Sequence, residues 1–157
     1  MVYVQDPDVL GGNMDNTFER SKQLEEIDAV FLDLDGTIYL GGELIPGALE
    51  FLERCKQRGI KRFFLSNNSS RSVEQYLGKL RAFDISATEE DVLLSTHDLL
   101  SWLAANNITQ TWLVGTEGMR NMLESRGIAT RSEKPEYVVL GYDTEINYEK
   151  IAVASVH

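Results

Sequence analysis

Cysteine, histidine and proline are scarce in this chain, and no hydrophobic run is long. Its 157 residues include one cysteine, two histidines and three prolines. A lone Cys55 rules out an internal disulfide, and its place beside Leu49, Phe51 and Leu52 marks a small buried apolar residue rather than a nucleophile. His97 and His157 have no Cys or carboxylate partners at ligand spacing, which argues against a zinc-type centre. No apolar stretch approaches the roughly 18 residues that span a bilayer, and Met1 to Pro7 lacks the basic and apolar regions of a signal peptide. A membrane is therefore not an expected partner, and the cytoplasm is the default compartment. Positive charge is short as well: 15 Lys and Arg stand against 25 Asp and Glu, a formal net charge of −10. That balance repels a polyphosphate backbone and no basic stripe relieves it, so nucleic acid is excluded as a partner. A small anionic substrate would need a metal or a local positive field to enter.

What the chain does have is enough apolar content, 43%, to bury a core, at a length that suits one domain or a piece of something larger. The most informative stretch is Asp33-Leu34-Asp35-Gly36-Thr37, at the end of the apolar run Ala29-Val30-Phe31-Leu32. A β-strand alternates its side chains, so Asp33 and Asp35 emerge on one side and set two carboxylates at a strand end. Such close like charges repel unless a hard cation such as Mg²⁺ lies between them or one carboxyl keeps its proton. The competing interpretation is a solvated acidic turn, since Asp-Gly is also an ordinary turn pair.

Residues 1–26 are polar and form a lead-in extension, in which Asn16 and Glu19 have the spacing of a capping box over one short helix. After the first strand, Tyr39-Leu40-Gly41-Gly42 predicts a flap. Pro46 then opens a helix that carries Leu49, Leu52 and Cys55 on one face and ends at Gly59. Arg62-Phe63-Phe64-Leu65 predicts a second buried strand running into Ser66-Asn67-Asn68, and Ser72 to Arg81 a helix with Val73, Tyr76, Leu77 and Leu80 at helical spacing. A β-α-β-α order implies parallel strands with right-handed crossovers, which would bring the ends bearing Asp33, Asp35 and Ser66 to one edge of a sheet, where ligands of open α/β sheets bind. Ser66 offers a small hydroxyl there, and the Asn67 and Asn68 amides could grip phosphate oxygens, although alone they are equally a Ser/Asn-rich turn.

These residues resemble a known family. Asp33-Leu34-Asp35-Gly36-Thr37-Ile38-Tyr39, followed by Ser66-Asn67-Asn68-Ser69-Ser70-Arg71, is similar to motifs I and II of the haloacid dehalogenase-like phosphatases. Tyr39 and the Asn pair point to the NagD-like branch, which includes nitrophenyl phosphatases and sugar- or nucleotide-phosphate phosphatases. The resemblance implies that Asp33 is the nucleophile and Asp35 the acid and then the base. It implies Mg²⁺ on the Asp33 carboxylate and the Asp35 carbonyl, a small phosphorylated metabolite as substrate, and Ser66, Asn67 and Asn68 orienting the phosphoryl group. Gly36 would let the chain swing away after the strand, and Thr37 would hold that turn.

From Thr88 onward the β/α pattern repeats. Strands are expected at Val92-Leu93-Leu94, Thr111–Val114 and Tyr137–Leu140; helices at His97 to Asn106, after Thr116 and from Asn147. By resemblance this second unit is a cap that covers the pocket and chooses the substrate. The expected fold is thus α/β: a Rossmann-like parallel sheet, an incomplete core over residues 27–90, followed by part of an α/β cap over 91–157. The family's third and fourth motifs are missing from the sequence. Lys134-Pro135 with Asp143 and Glu145 is not a substitute, because too few residues separate them for a crossover of at least about 10–12 residues. A chain ending inside the cap would be impaired as a catalyst, and its sheet would carry an open edge that favours a homodimer.

Other residues have structural interpretations. Trp102 and Trp112 suit packing, Arg71 a surface or helix-start role, and Glu89, Glu90 and Asp91 a solvated cluster at a helix start. Two functions from different classes follow. One is a Mg²⁺-dependent phosphatase; the alternative is a non-catalytic phospho-ligand-binding or dimerising module of the same fold. A receiver-like phosphoacceptor fits less well, because its acids lie on separate strands rather than two residues apart.

Overall fold

The computed structural model describes residues 27–157, so the lead-in with its Asn16 cap lies outside the described residues. The chain divides into two units, Met1–Phe64 and Leu65–His157. Strand β4 (Lys61–Ser66) crosses that division; β1 (Ala29–Asp33) belongs to the first unit and β5 (Val92–Leu94) to the second.

In the first unit, Phe31 of β1 stacks on Phe63 of β4 with ring centroids 5.1 Å apart, and the Lys61 amide donates to the Asp28 carbonyl at 2.9 Å. The flap expected at Tyr39 is a hairpin of β2 (Tyr39–Leu40) and β3 (Glu43–Leu44), paired Tyr39 to Leu44 and Leu40 to Glu43. Its two-residue Gly41-Gly42 loop is the glycine signature of a tight hairpin, a signal present in the sequence. Helix α1 (Ala48–Gln57) starts two residues after Pro46, with Gly47 left-handed at its N-cap. Its buried side chains are Ala48, Leu52 and Cys55, while Leu49 is exposed. The i, i+4, i+7 row starting at Ala48 won over the row starting at Leu49, an ambiguity that helical spacing alone leaves open.

In the second unit, helix α2 (Val73–Ala82) begins at Ser72, whose side chain forms a capping box with Gln75. Asp84 and Asn107, both at φ 58°, end α2 and α3 (Ser95–Ala105) in the left-handed conformation that Asp and Asn tolerate best after glycine. Glu89–Asp91 form a single 3-10 turn closed by Thr88 and Asp91 rather than the start of a longer helix. Strands β6 (Thr111–Val114) and β7 (Tyr137–Leu140) pair in parallel, Thr111 opposite Tyr137. The other side of β6 bonds to Ala129–Arg131 through the Thr111 amide on the Ala129 carbonyl and the Leu113 amide on that of Thr130, both at 2.9 Å. Helices α4 (Glu117–Glu124) and α5 (Tyr148–Ala154) are capped by Thr116 and Asn147, whose side chains accept the Met119 and Lys150 amides. Leu100, Leu103, Leu113, Met119, Leu123 and Val139 form the core of this unit. Among the described residues no helix is long and apolar enough to cross a membrane.

Candidate functional site

The acidic pair belongs to the first unit. Asp33 is the last residue of β1, and both Asp33 and Asp35 are exposed on either side of Leu34, which is fully buried. Burial thus alternates through Asp33-Leu34-Asp35, with Leu34 inward and the two acids exposed at and just past the end of β1. The Leu34 carbonyl accepts the amides of Thr37, Ile38 and Tyr39 at 3.3, 3.0 and 3.3 Å, and the Gly36 amide donates to the Tyr39 carbonyl at 2.7 Å. This closes a tight loop of main-chain bonds around Asp35, to which Thr37 contributes its amide. Gly36 has φ +88°, and a Cβ there would meet nothing within 4 Å, so backbone conformation and not space selects glycine.

The donors here are oxygens, the class of ligand that Mg²⁺ takes, with water completing its octahedron. Among the described residues no group of three or more His, Cys, Asp or Glu gathers as a metal site. The residues present thus fit a hydrated Mg²⁺ held by one or two protein oxygens and not a dedicated protein cage.

Ser66, Asn67 and Asn68 belong to the second unit. Ser66 ends β4 and is buried, with its Oγ 2.7 Å from the Tyr76 hydroxyl. Tyr76 donates to the Asn68 carbonyl at 3.2 Å, and the Asn68 amide donates to Ser66 Oγ at 3.2 Å. With its one proton spent on Asn68, Tyr76 must accept from Ser66, which closes a ring of hydrogen bonds. Tyr76 was visible in the sequence only as an apolar position on α2. Its signal was chemical: a buried tyrosine needs a partner for its hydroxyl.

The loop after Ser66 is braced at successive residues. Ser95 Oγ donates to the Asn67 carbonyl at 3.3 Å, and Asn68 Oδ1 accepts the Ser70 amide at 3.0 Å as an Asx turn. Ser69 Oγ accepts the Tyr142 amide at 2.8 Å, and Thr116 Oγ1 donates to the Ser70 carbonyl at 2.8 Å. The Arg71 guanidinium stands 5.9 Å from the centroid of the Tyr76 ring, a cation–π contact. The Ser72 hydroxyl, followed by Glu74's own amide, holds the Glu74 carboxyl below its usual value, which suits a negative charge in the first turn of α2.

Asp143 and Glu145 are engaged elsewhere in this unit. Lys150 is buried and its Nζ donates to Asp143 Oδ2 and the Gly115 carbonyl, both at 2.8 Å, and to the Glu145 carbonyl at 3.1 Å. The Glu145 carboxylate accepts the Glu117 amide at 3.0 Å. Trp112 donates its Nε1 proton to the Lys150 carbonyl at 3.0 Å, and Trp102 meets Tyr137 edge-on at 5.3 Å.

Residues 30–129 match the family described as Haloacid dehalogenase-like hydrolase. The chain is 41% identical over 128 residues to the 5'-nucleotidase YutF of Bacillus subtilis, covering 78% of this chain and 48% of that protein. It is 33% identical over 137 residues to an acid sugar phosphatase of Staphylococcus aureus, covering 85% of this chain and 52% of that protein. The structure superposes on the 4-nitrophenylphosphatase of Thermotoga maritima with a TM-score of 0.79 at 33% identity, over 85% of this chain and 51% of that one. The chain thus spans about half the length of the relatives it matches.

Proposed function

This chain belongs to the haloacid dehalogenase-like hydrolases, and on that premise we propose that it carries the nucleophile-bearing part of a Mg²⁺-dependent phosphatase acting on small phosphate monoesters. The observation that carries the proposal is the pair Asp33 and Asp35, both exposed on either side of buried Leu34. The relatives' names, a nucleotidase, a sugar phosphatase and a nitrophenylphosphatase, support the substrate class.

In this proposal a carboxylate oxygen of Asp33 attacks phosphorus, the ester P–O bond breaks, and Asp35 gives its proton to the leaving oxygen. Asp35, now a carboxylate, takes a proton from water as the water attacks the aspartyl-phosphate, which restores Asp33 and releases phosphate. Ser66 and the Asn67 and Asn68 amides orient the phosphoryl oxygens. Asp33 through its carboxylate and Asp35 through its carbonyl would hold Mg²⁺, which supplies screening between the nucleophile and a dianionic ester. Gly36 and Thr37 keep the chain turned away behind Asp35. Residues 27–90 are assigned to the core and 91–157 to part of a cap; the parallel β6–β7 pair supports an α/β unit within the latter segment.

The alternative reading is a phospho-ligand-binding module of the same fold without turnover. Hydrolysis of 4-nitrophenyl phosphate with and without Mg²⁺, in the wild-type chain and in Asp33→Asn, decides between the two. Mg²⁺-dependent release abolished by Asp33→Asn supports the phosphatase. Saturable phosphate binding without release supports the module, and turnover that survives Asp33→Asn sinks the nucleophile.

A further inference from the structure

A cavity of about 600 Å³ lies in the second unit between α3, the turn after it and the end of α4. Its apolar floor is Leu100, Ile108 and Ile128, all buried. Its polar side chains include His97, Thr109 and Arg126, and among the described residues no carboxylate lines it. In a chain of net charge −10 that is an unusual surface. Exposed charges act over about 8 Å at physiological salt, and the carboxylate that hydrogen bonds place beside the lining is that of Glu136, which accepts the Thr109 and Gln110 amides at 3.3 Å each.

The groups around it leave Arg126 available. Glu124, the nearest acid in sequence, accepts a hydrogen bond from the Thr130 hydroxyl at 2.5 Å, and the buried ion pair of this unit is Lys150 with Asp143. The ring of His97 is oriented by the Leu94 amide, which donates to Nδ1 at 3.3 Å. That bond places the proton of the neutral ring on Nε2, making His97 a donor without requiring it to be charged. Burial pushes the imidazole below its ordinary value, and the nearby Arg126 charge pushes it further the same way, so the two nitrogenous groups share one local field.

We propose that this cavity binds a small organic anion, a phosphate or carboxylate on an apolar body, with Arg126 and His97 taking the anionic group and Leu100, Ile108 and Ile128 taking the body. The size suits a compact metabolite, since small-molecule sites run about 300–1,000 Å³. An arginine fork suits either oxyanion, and the donor from His97 adds a second direction. The site uses none of the residues assigned to phosphoryl transfer and stands whether or not the proposed activity does.

The chain's two histidines make the test direct, because the ring protons of His97 report the cavity while those of His157 serve as reference. Phenyl phosphate, benzoate and phenol are titrated into the whole chain in divalent-free buffer, followed by proton NMR. Saturable shifts of the His97 resonances with phenyl phosphate or benzoate are expected, and the ester, the acid or both responding identifies the source of the anion. Arg126→Gln weakens that binding about tenfold, the loss of one charge-assisted hydrogen bond, and Arg126→Lys recovers part of it. Asp33→Asn leaves it unchanged. No saturation with either anion at millimolar concentration, an equal response to phenol, or wild-type affinity in Arg126→Gln overturns the proposal.

Discussion

The Ser69 hydroxyl accepts the backbone N–H of Tyr142 at 2.8 Å, across 73 positions of sequence. Ser69 is buried, and the neighbouring Ser70 carbonyl accepts from Thr116. The segment that follows β4 is thus shaped by two loops from the far end of the chain. Ser69→Ala leaves the Tyr142 amide without its acceptor and is expected to lower stability by about 1–2 kcal/mol. Urea unfolding measures that loss, and hydrogen exchange at the Tyr142 amide should quicken. An unchanged exchange rate would mean that the bond contributes nothing to holding the loop.

Tyr76→Phe removes the link that joins Ser66 to the Asn68 carbonyl while keeping the buried ring. Stability should fall by about 1 kcal/mol, the ordinary net worth of a hydrogen bond. The Ser66 hydroxyl is then released from donating to Tyr76. If that proton is what limits phosphate binding at Ser66, inorganic phosphate should bind Tyr76→Phe at least as tightly as wild type, which calorimetry with Mg²⁺ present checks.

Lys150→Met leaves Asp143 buried without its cation, for the Asp143 side chain is only 2% exposed. Breaking one side of such a pair costs about 3–5 kcal/mol. The double variant Lys150→Met with Asp143→Leu should recover much of the loss, because both charges are then gone. A double variant as unstable as the single one would locate the cost in the Gly115 and Glu145 carbonyls that Lys150 also serves.

The His97 value is lowered, chiefly by burial, from an ordinary 6.5, so the unfolded chain binds that proton more tightly than the native one. Its contribution to stability is complete above pH 6.5 and is lost as the pH falls through the lower native value. Unfolding free energy measured between neutral and mildly acid pH should therefore decline, and His97→Gln should reduce the slope of that decline. An anion held by His97 and Arg126 would oppose it.

Much of the fold was legible because it rests on local rules. The caps at Ser72, Thr116 and Asn147 and the strands Thr111–Val114 and Tyr137–Leu140 lie where short-range pattern puts them. Leu49 was misassigned to a buried face because two helical rows fit α1 equally well, and only what packs on the helix distinguishes them. Gly41-Gly42 marks the flap in the sequence but not its hairpin pairing, since the strands are two residues each and leave almost no alternation to detect.

Sequence alone determined which residue types stand two apart at a strand end, which side chains cap which helices, and the family to which these motifs are similar. Those features depend on backbone geometry that repeats over a few residues, so they survive without knowledge of the whole. Tertiary structure alone decided that Tyr76 would close a ring on Ser66, that Ser69 would receive Tyr142, that Lys150 would be buried on Asp143, and that His97 and Arg126 would share a cavity free of carboxylates. In each of the four the meeting is set by how helices, strands and loops pack, a property that backbone periodicity along the sequence does not contain.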